Sequence, residues 1–579
     1  MAFAIAGVLT VGTSAAVPPP STITATIVDR NGDGLLEQGP GEPVVVRDDF
    51  GVGGSARNPS AAPLLFFAQM TDFQLVDEES PARVELVDKY GGSLNAAYRP
   101  QEGLLPFVIE EAVQQLRRAR SRNGRPLELV MVTGDNVDNT QLNETQWYLS
   151  LLDGGVLDPN SGTSQGTCRV RNPRARYHGV RGGGQFYEPD RSGRGIDGPG
   201  YSPNRDANRR VTGRRNILRD YPGLFDLMNR PFRATGLGVP WYTVFGNHDG
   251  LVQGNVAYNV LFATAATGCV KPVRLSRAGR AEAESLVRGG ITLPERGRII
   301  EILTRDLVET VLGPQLTRDR WVAVLRDARR RLLLPAEYMQ LHFEPRGRPL
   351  GHGFTRERAA LGQGYYSFSP KPGIRFITVD TVADSGDQGN VDEAQFRWAE
   401  SELAAATSRR ELIFVFGHHP ITSLTQAAPG VHLGRGDCAA TPEPVECLFL
   451  RFPVMAYVVG HVHRNRILAY RAPETSRGFW EIATAAHTDY PQQARLLEII
   501  DNGSCAISIR TSVVDHGAPP RPGPRPRRAG RLLSMAEVEW LASVGRELAY
   551  NDPQENPAGA RRGARNDRNV ELLARDPRC

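Results

Sequence analysis

Carboxylates, amides and imidazoles recur at close spacing in Asp72-Phe73-Gln74, Gly134-Asp135-Asn136-Val137-Asp138, Gly246-Asn247-His248-Asp249, Gly417-His418-His419-Pro420 and Gly460-His461-Val462-His463. Oxygen and imidazole donors of this kind suit hard or borderline divalent cations, and no thiolate is among them. A pair of such cations neutralises phosphate oxygens and makes a nucleophile of water, so hydrolysis of a phosphate ester is the chemistry this inventory fits. His461 and His463 stand two residues apart and share a face in extended backbone, so even as ordinary strand residues they reach one site.

Each stretch follows an apolar run. Leu64–Met70, Glu128–Val132, Trp241–Phe245, Leu412–Phe416 and Val454–Val459 read as buried strands. Helical periodicity predicts helices over Leu104–Arg120, Gln141–Leu152 and Asp392–Ala405, the last with Asp392 as N-cap. The ligand loops therefore fall at strand ends, where open α/β sheets build their crevices. Tyr365–Ser369 and Ile374–Val379 read as a hairpin, and Phe479–Thr484 and Ala494–Ile500 as strands that complete the sheets.

This organisation implies a catalytic domain over 63–516 with insertions at about 154–236 and about 270–350. The first insertion is rich in Gly, Arg, Asn and Pro; in the second, Ile299–Leu312 and Arg320–Leu333 carry helical spacing and suggest a small cap. Residues 21–62 read as an N-terminal extension in which Thr22–Val28 pairs with Pro43–Arg47, and 517–579 as a Pro/Arg-rich linker and polar tail with one short helix near Met535–Leu548. Between the N-terminal strands, Asp29, Asn31 and Asp33 with Gly34 match the first half of a calcium loop spanning 29–37, but Pro40 stands where its glutamate belongs, which favours a hairpin turn.

Composition is that of a globular protein, with 40% hydrophobic and 23% charged residues, while 60 Gly and 42 Pro point to long loops. The net charge of +5 comes almost entirely from Arg, since Lys occurs only at positions 89, 271 and 371. Such clusters read as solvated surface, and no interleaving of aromatic and basic residues marks a single-strand-binding face, so nucleic acid is not the favoured partner. Six cysteines without a Cys-x-x-Cys pair exclude a zinc knuckle and a thioredoxin motif; Cys438 and Cys447 could close a small loop in an oxidising compartment. Residues 1–20 hold an apolar, small-residue run like the core and cleavage site of a secretory signal, without the Lys or Arg of an n-region, and export is preferred over a flexible apolar tail. No other run approaches the ~18 apolar residues of a membrane span.

Taken in order, these motifs resemble the metallophosphoesterase (calcineurin-like phosphoesterase) superfamily, whose pattern is Asp-x-His, Gly-Asp-x-x-Asp, Gly-Asn-His-Asp/Glu, a lone His and Gly-His-x-His. The likeness spans about 64–470 and includes the helix motif Asp392-Glu393-Ala394-Gln395-Phe396-Arg397-Trp398. It implies an α/β four-layer sandwich, two mixed β-sheets flanked by helices, and two divalent metal ions, Mn, Fe, Zn or Mg. One would be held by Asp72, Gln74, Asp135 and His463, the other by Asp135, Asn247, His418 and His461, with Asp135 bridging. A hydroxide between them would attack phosphorus and His248, oriented by Asp249, would act as acid, with Asp138 and His419 in supporting positions. Gln74 departs from the pattern, replacing an imidazole by a weaker amide donor. Asp138 departs from the coloured, ferric subclass, which carries tyrosine there. The substrate expected is a phosphomonoester or phosphodiester; a metal-dependent nuclease, or a non-catalytic interaction module on the same fold, are the alternatives. The isolated His178, His342, His352, His432 and His516 read as surface or core groups, Asp380 as a turn cap, and His487 as a lesser candidate for substrate contact.

Overall fold

The computed structural model describes residues 21–579 except 54–60, 91, 163–218, 220, 273, 289–300, 303–304, 307–320, 345–346, 473–476, 529 and 553–560. The signal-like segment 1–20, most of the first insertion and most of the helix expected at 299–312 thus lie outside the described residues.

The two main sheets are built from β1 (Val45–Arg47), β2 (Ala62–Met70), β3 (Leu129–Val132), β4 (Trp241–Thr243), β5 (Tyr366–Lys371), β6 (Ile374–Thr378) and β7 (Leu412–Phe416). They continue with β8 (Val454–Val459), β9 (Arg466–Arg471), β10 (Gly478–Ala483), β11 (Gln493–Asp501), β12 (Ala506–Asp515) and β13 (Val570–Arg575). The order β1-β13-β12-β11-β2-β3-β4 makes a seven-stranded sheet, and β5-β6-β7-β8-β10-β9 a six-stranded one. Both are mixed: β2, β3 and β4 are parallel in one and β6, β7, β8 and β10 in the other, and the remaining pairs are antiparallel except the parallel pair β1–β13.

Strand sequences explain the layering. In β7, Phe414 and Phe416 point between the sheets while Ile413 and Val415 point outward, and in β2 Leu65 and Phe67 face inward while Phe66, Ala68 and Met70 face the other way. Both faces are apolar because both are covered, which is why these strands read as continuous hydrophobic runs. The helices α1 (Leu105–Arg118), α2 (Leu142–Asp153) and α5 (Met535–Tyr550) cover the seven-stranded sheet; α3 (Glu393–Ser408) and α4 (Val445–Arg451) cover the six-stranded one. The result is the four-layer α/β sandwich that the sequence leads one to expect. Each fully buried Phe or Leu in the central layer contributes about 1.5–3 kcal/mol.

At the ends of the chain the structure corrects the sequence reading. Ala25–Val28 pairs with Glu37–Pro40 rather than with Pro43–Arg47, and β1, within the latter, runs beside β13. In the turn between the first two, Asp29 accepts from the N–H groups of Gly32 (2.7 Å) and Gly34 (3.0 Å) and from the Tyr550 hydroxyl (3.0 Å), and Asp33 accepts from Leu35 N–H (2.8 Å). The carboxylates are consumed in closing the turn, so a hairpin stands where a calcium cage over 29–37 was the other reading. The polar tail is neither polar throughout nor a tail. Helix α5, capped by Ser534 and Glu537, packs on α1, and β13 pairs with β12 and sends Val570, Leu572 and Ala574 into the inter-sheet core. The Cys505–Cys579 disulfide ties its end to the start of β12. Strands from 45–47 and 570–575 therefore share one sheet with strands of 63–516. The first is legible as a strand but its partner is not, and the apolar signal of 570–575 is short and set among charges, so only its pairing reveals it.

In the second insertion, Arg320–Leu333 is not a helix. Trp321–Ala323 pairs with Val270–Pro272, and a 3-10 turn at Ala328–Arg330 follows. The buried Arg330 guanidinium meets Asp77 (2.9 Å) and Glu79 (3.0 Å), contacts that outweigh local helical spacing. A helix at Arg277–Arg288 lies in the same insertion. Among the described residues no helix is long and apolar enough to cross a membrane.

Candidate metal centre

All five ligand stretches leave the carboxyl ends of parallel strands: β2 leads to Asp72, β3 to Asp135, β4 to Asn247, β7 to His418 and β8 to His461. The loops continue the ladder, with Asp72 N–H bonded to Gly134 O (3.0 Å), Gln74 N–H to Asp135 O (2.9 Å) and Gly460 N–H to His418 O (3.0 Å). Two glycines permit this closeness. A Cβ on Gly246 would stand 2.2 Å from Asp135 N, and one on Gly460 would stand 2.1 Å from Thr71 Oγ1. Asp72, Gln74, Asp135, His461 and His463 have φ of 51°, 45°, 55°, 67° and 50°. The left-handed region costs a side-chain-bearing residue about 1–2 kcal/mol, and strain gathered on so many site residues marks a place where position outranks local comfort.

The donors fall into two groups, Asp72 with Asp135 and His463, and His418 with His419 and His461, each with ligand atoms within 4.8 Å of one another. Asp135 links them: its Oδ2 lies 3.1 Å from His418 Nε2, and its Oδ1 accepts from His248 N–H at 2.8 Å. His463 Nε2 is 3.3 Å from Asp72 Oδ1, with the Gln74 amide nitrogen 3.4 Å from the same ring nitrogen. Several donors are turned inward with nothing to bond. Gln74 Oε1, Asn247 Oδ1 and His419 Nε2 are buried without a hydrogen-bond partner, and His418 Nε2 has only the Asp135 carboxylate beside it. Unsatisfied buried acceptors are costly, and here they belong to side chains whose chemistry is cation ligation, so the residues fit a pair of metal ions.

The histidine tautomers agree with that fit. His418 Nδ1 donates to Thr133 O at 2.8 Å and His463 Nδ1 to Asp489 Oδ2 at 2.6 Å, which leaves each Nε2 lone pair for the site. Burial opposes charge on His418, yet the Asp135 carboxylate more than offsets it and raises its pKa to about 9, so beside Asp135 alone Nε2 carries a proton, one that a bound cation would displace. Burial and the neighbouring His418 push His461 down to about 4, and burial with His461 and His418 holds His419 well below the ordinary histidine value. Burial disfavours charge on Asp72, but the charge of His463 beside it brings its pKa below the usual carboxylate range.

His248 lies between Asp135 and Asp138. Its Nδ1 is 3.1 Å from Asp138 Oδ1 and its Nε2 is 3.9 Å from Asp135 Oδ2. Asp249, expected to orient this ring, instead braces the neighbouring turn: its carboxylate accepts from the N–H groups of Asp135 (3.0 Å), Asn136 (2.8 Å) and Gly246 (2.9 Å). Adjacent residues in the short turn project apart, so the orienting carboxylate comes from Asp138, a loop away. His419, expected behind the ligands, has its ring grouped with His418 and His461, with Nδ1 on Thr381 Oγ1 at 2.8 Å. His487 is buried beneath Thr71, its Nδ1 bonded to Thr71 O at 3.0 Å, and does not line the cavity.

Three residues at the site carry no sequence signal that singles them out. Asp489 accepts from Arg99 Nε (2.6 Å), lies 3.1 Å from Arg561 Nη1 and holds His463. Arg99 and Arg561 line the cavity together with Gln74, Asp135, Asn247, His248, His461 and His463; its volume is about 270 Å³. Only the position of Asp489 soon after β10 hints at a role, since loops at strand ends gather in this crevice.

The chain matches no protein-family model, and no curated protein matches it. Among solved structures it is similar to a dimetal phosphatase from Danio rerio at 13% identity and a TM-score of 0.31, over 79% of this chain and 100% of that one.

Proposed function

We propose that this protein is a dimetal phosphoesterase of the metallophosphoesterase type that hydrolyses phosphomonoesters or phosphodiesters. The observation that carries the reading is the pair of donor groups joined at Asp135, with Asn247 Oδ1 and Gln74 Oε1 buried and unbonded beside them. Asp72, Gln74, Asp135 and His463 would hold one divalent cation and Asp135, Asn247, His418 and His461 the other, with His419 adding a third imidazole there. When bound, the cations supply charge for the phosphate oxygens and acidity for the attacking water. Water gives up a proton to solvent as its oxygen bonds to phosphorus, the ester P–O bond breaks, and the departing oxygen takes a proton from His248 Nε2, whose ring Asp138 orients through Nδ1. Elemental analysis and hydrolysis of 4-nitrophenyl phosphate and bis(4-nitrophenyl) phosphate with added manganese test the proposal. Absence of both metal and turnover would overturn it. Export is part of the same reading and is supported by the Cys438–Cys447 and Cys505–Cys579 disulfides, which suit an oxidising compartment. Thiols open to alkylation at these positions in the native protein would contradict export.

A further inference from the structure

Beyond the donor groups, the cavity changes character. The loop that carries Gln74 runs on into Val84, Val87, Leu94 and Ala97, and the turn that carries His248 runs on into Val252, Val256 and Phe262; all of these side chains line the same cavity as His248, Asn247 and His463. The two walls are apolar clusters in their own right. Leu86 and Val87 pack with Leu275, Ala283 and Ile302 of the second insertion, and Val252 and Phe262 pack with Ala82, Ala265 and Leu332.

Of the polar residues beyond the donor groups, Gln253 and Asn255 are held within the walls, and Asp387 also lines the cavity. Gln253 bridges the walls, accepting from Val84 N–H (3.1 Å) and donating to Ala97 O (3.4 Å), and Asn255 Nδ2 donates to Gln253 O at 2.6 Å. Arg99 and Arg561 are drawn toward Asp489. A nucleoside arm needs hydrogen-bond partners for its base and sugar, or aromatic faces for stacking, and away from the histidines of the donor groups and His248, Phe262 is the one aromatic ring lining the cavity among the described residues. An alkyl or aryl arm needs neither, and it gains from leaving water.

We infer that the substrate is a small amphiphilic phosphate ester whose apolar arm lies in the chamber formed by Val84, Val87, Leu94, Val252, Val256 and Phe262, while its phosphate meets the donor groups. This rests on the phosphoesterase reading and names the substrate class for that site.

The test uses methyl, butyl and octyl 4-nitrophenyl phosphate with the metal-loaded full-length protein, all three esters releasing the same nitrophenolate. The expected result is a rise in kcat/KM of about fourfold per added methylene at first, the factor that about 0.8 kcal/mol per buried CH₂ corresponds to, levelling as the chamber fills. Val84→Ser and Val256→Ser, at half-buried positions, flatten the dependence on chain length while thermal melts report that they fold. Equal turnover of the three esters overturns the chamber and leaves the phosphoesterase reading intact. Absence of turnover for all three together with absence of turnover of the monoester 4-nitrophenyl phosphate, with every metal, overturns the phosphoesterase reading; wherever the three diesters are inert, calorimetry with octylphosphonate and methylphosphonate decides the chamber, tighter octyl binding supporting it and equal or absent binding overturning it.

Discussion

The two halves of the candidate centre are held by different physics. The half made of Asp72, Asp135 and His463 is braced by charge: Asp489 grips His463 and is itself met by Arg99 and by Arg561, residues far apart in the chain. The half made of His418, His419 and His461 is braced by neutral groups, the Thr133 carbonyl behind His418 and the Thr381 hydroxyl beside His419. Two carboxylates and an amide suit a harder ion such as manganese or magnesium, and three imidazoles suit zinc or iron. One fold thus offers two unlike sites joined at Asp135, the carboxylate half braced by ion pairs between distant segments and the imidazole half by a carbonyl and a hydroxyl from other loops.

The most severe way to break this contrast is Asp135→Asn, which strikes both halves at once. Turnover is expected to fall to background and elemental analysis to show loss of metal from both sides; retention of a full complement would mean that Asp135 does not join them. His248→Asn leaves both halves intact and removes the proposed acid, so kcat should drop about 10²–10⁴-fold with metal content unchanged. A smaller loss for substrates whose leaving group needs no proton, such as nitrophenolate, sharpens the assignment.

Asp489→Asn addresses the carboxylate half alone. Removing the carboxylate behind a ligating histidine costs about 10–100-fold in metal affinity, so titration should show one ion weakened and the other unmoved; weakening of both would erase the distinction between the halves. Gln74→His is expected to act in the opposite direction and least strongly, tightening the same ion by several-fold and shifting its preference toward zinc, read by competition between manganese and zinc.

The ligand loops were legible because their signal is local. An apolar run that ends in Gly-Asp, Gly-Asn-His or Gly-His-x-His is visible as a strand and its outlet, and the unbroken run Leu412–Phe416 marks a strand covered on both faces. The partners of those ligands were not legible. Asp489 lies 26 residues from His463 and 390 from Arg99 along the chain, and apart from its place soon after β10 only proximity in space marks it. The same holds for the exchange of roles between Asp138 and Asp249: both are acidic residues near His248 in the site, and backbone direction in a four-residue turn decides which one meets the ring.

What the sequence by itself determined is the set of donors, their chemistry and the strands that deliver them, since these depend on side-chain type and on periodicities of a few residues. The tertiary structure alone decided how the donors divide into two groups, which carboxylate orients His248, and that β13 and Arg561 in the last stretch of the chain belong to the sheet and the site. The reason is range. Strand formation and ligand identity are set over a few positions, whereas ion pairs, tautomers and sheet edges depend on groups that meet only when the chain has closed on itself.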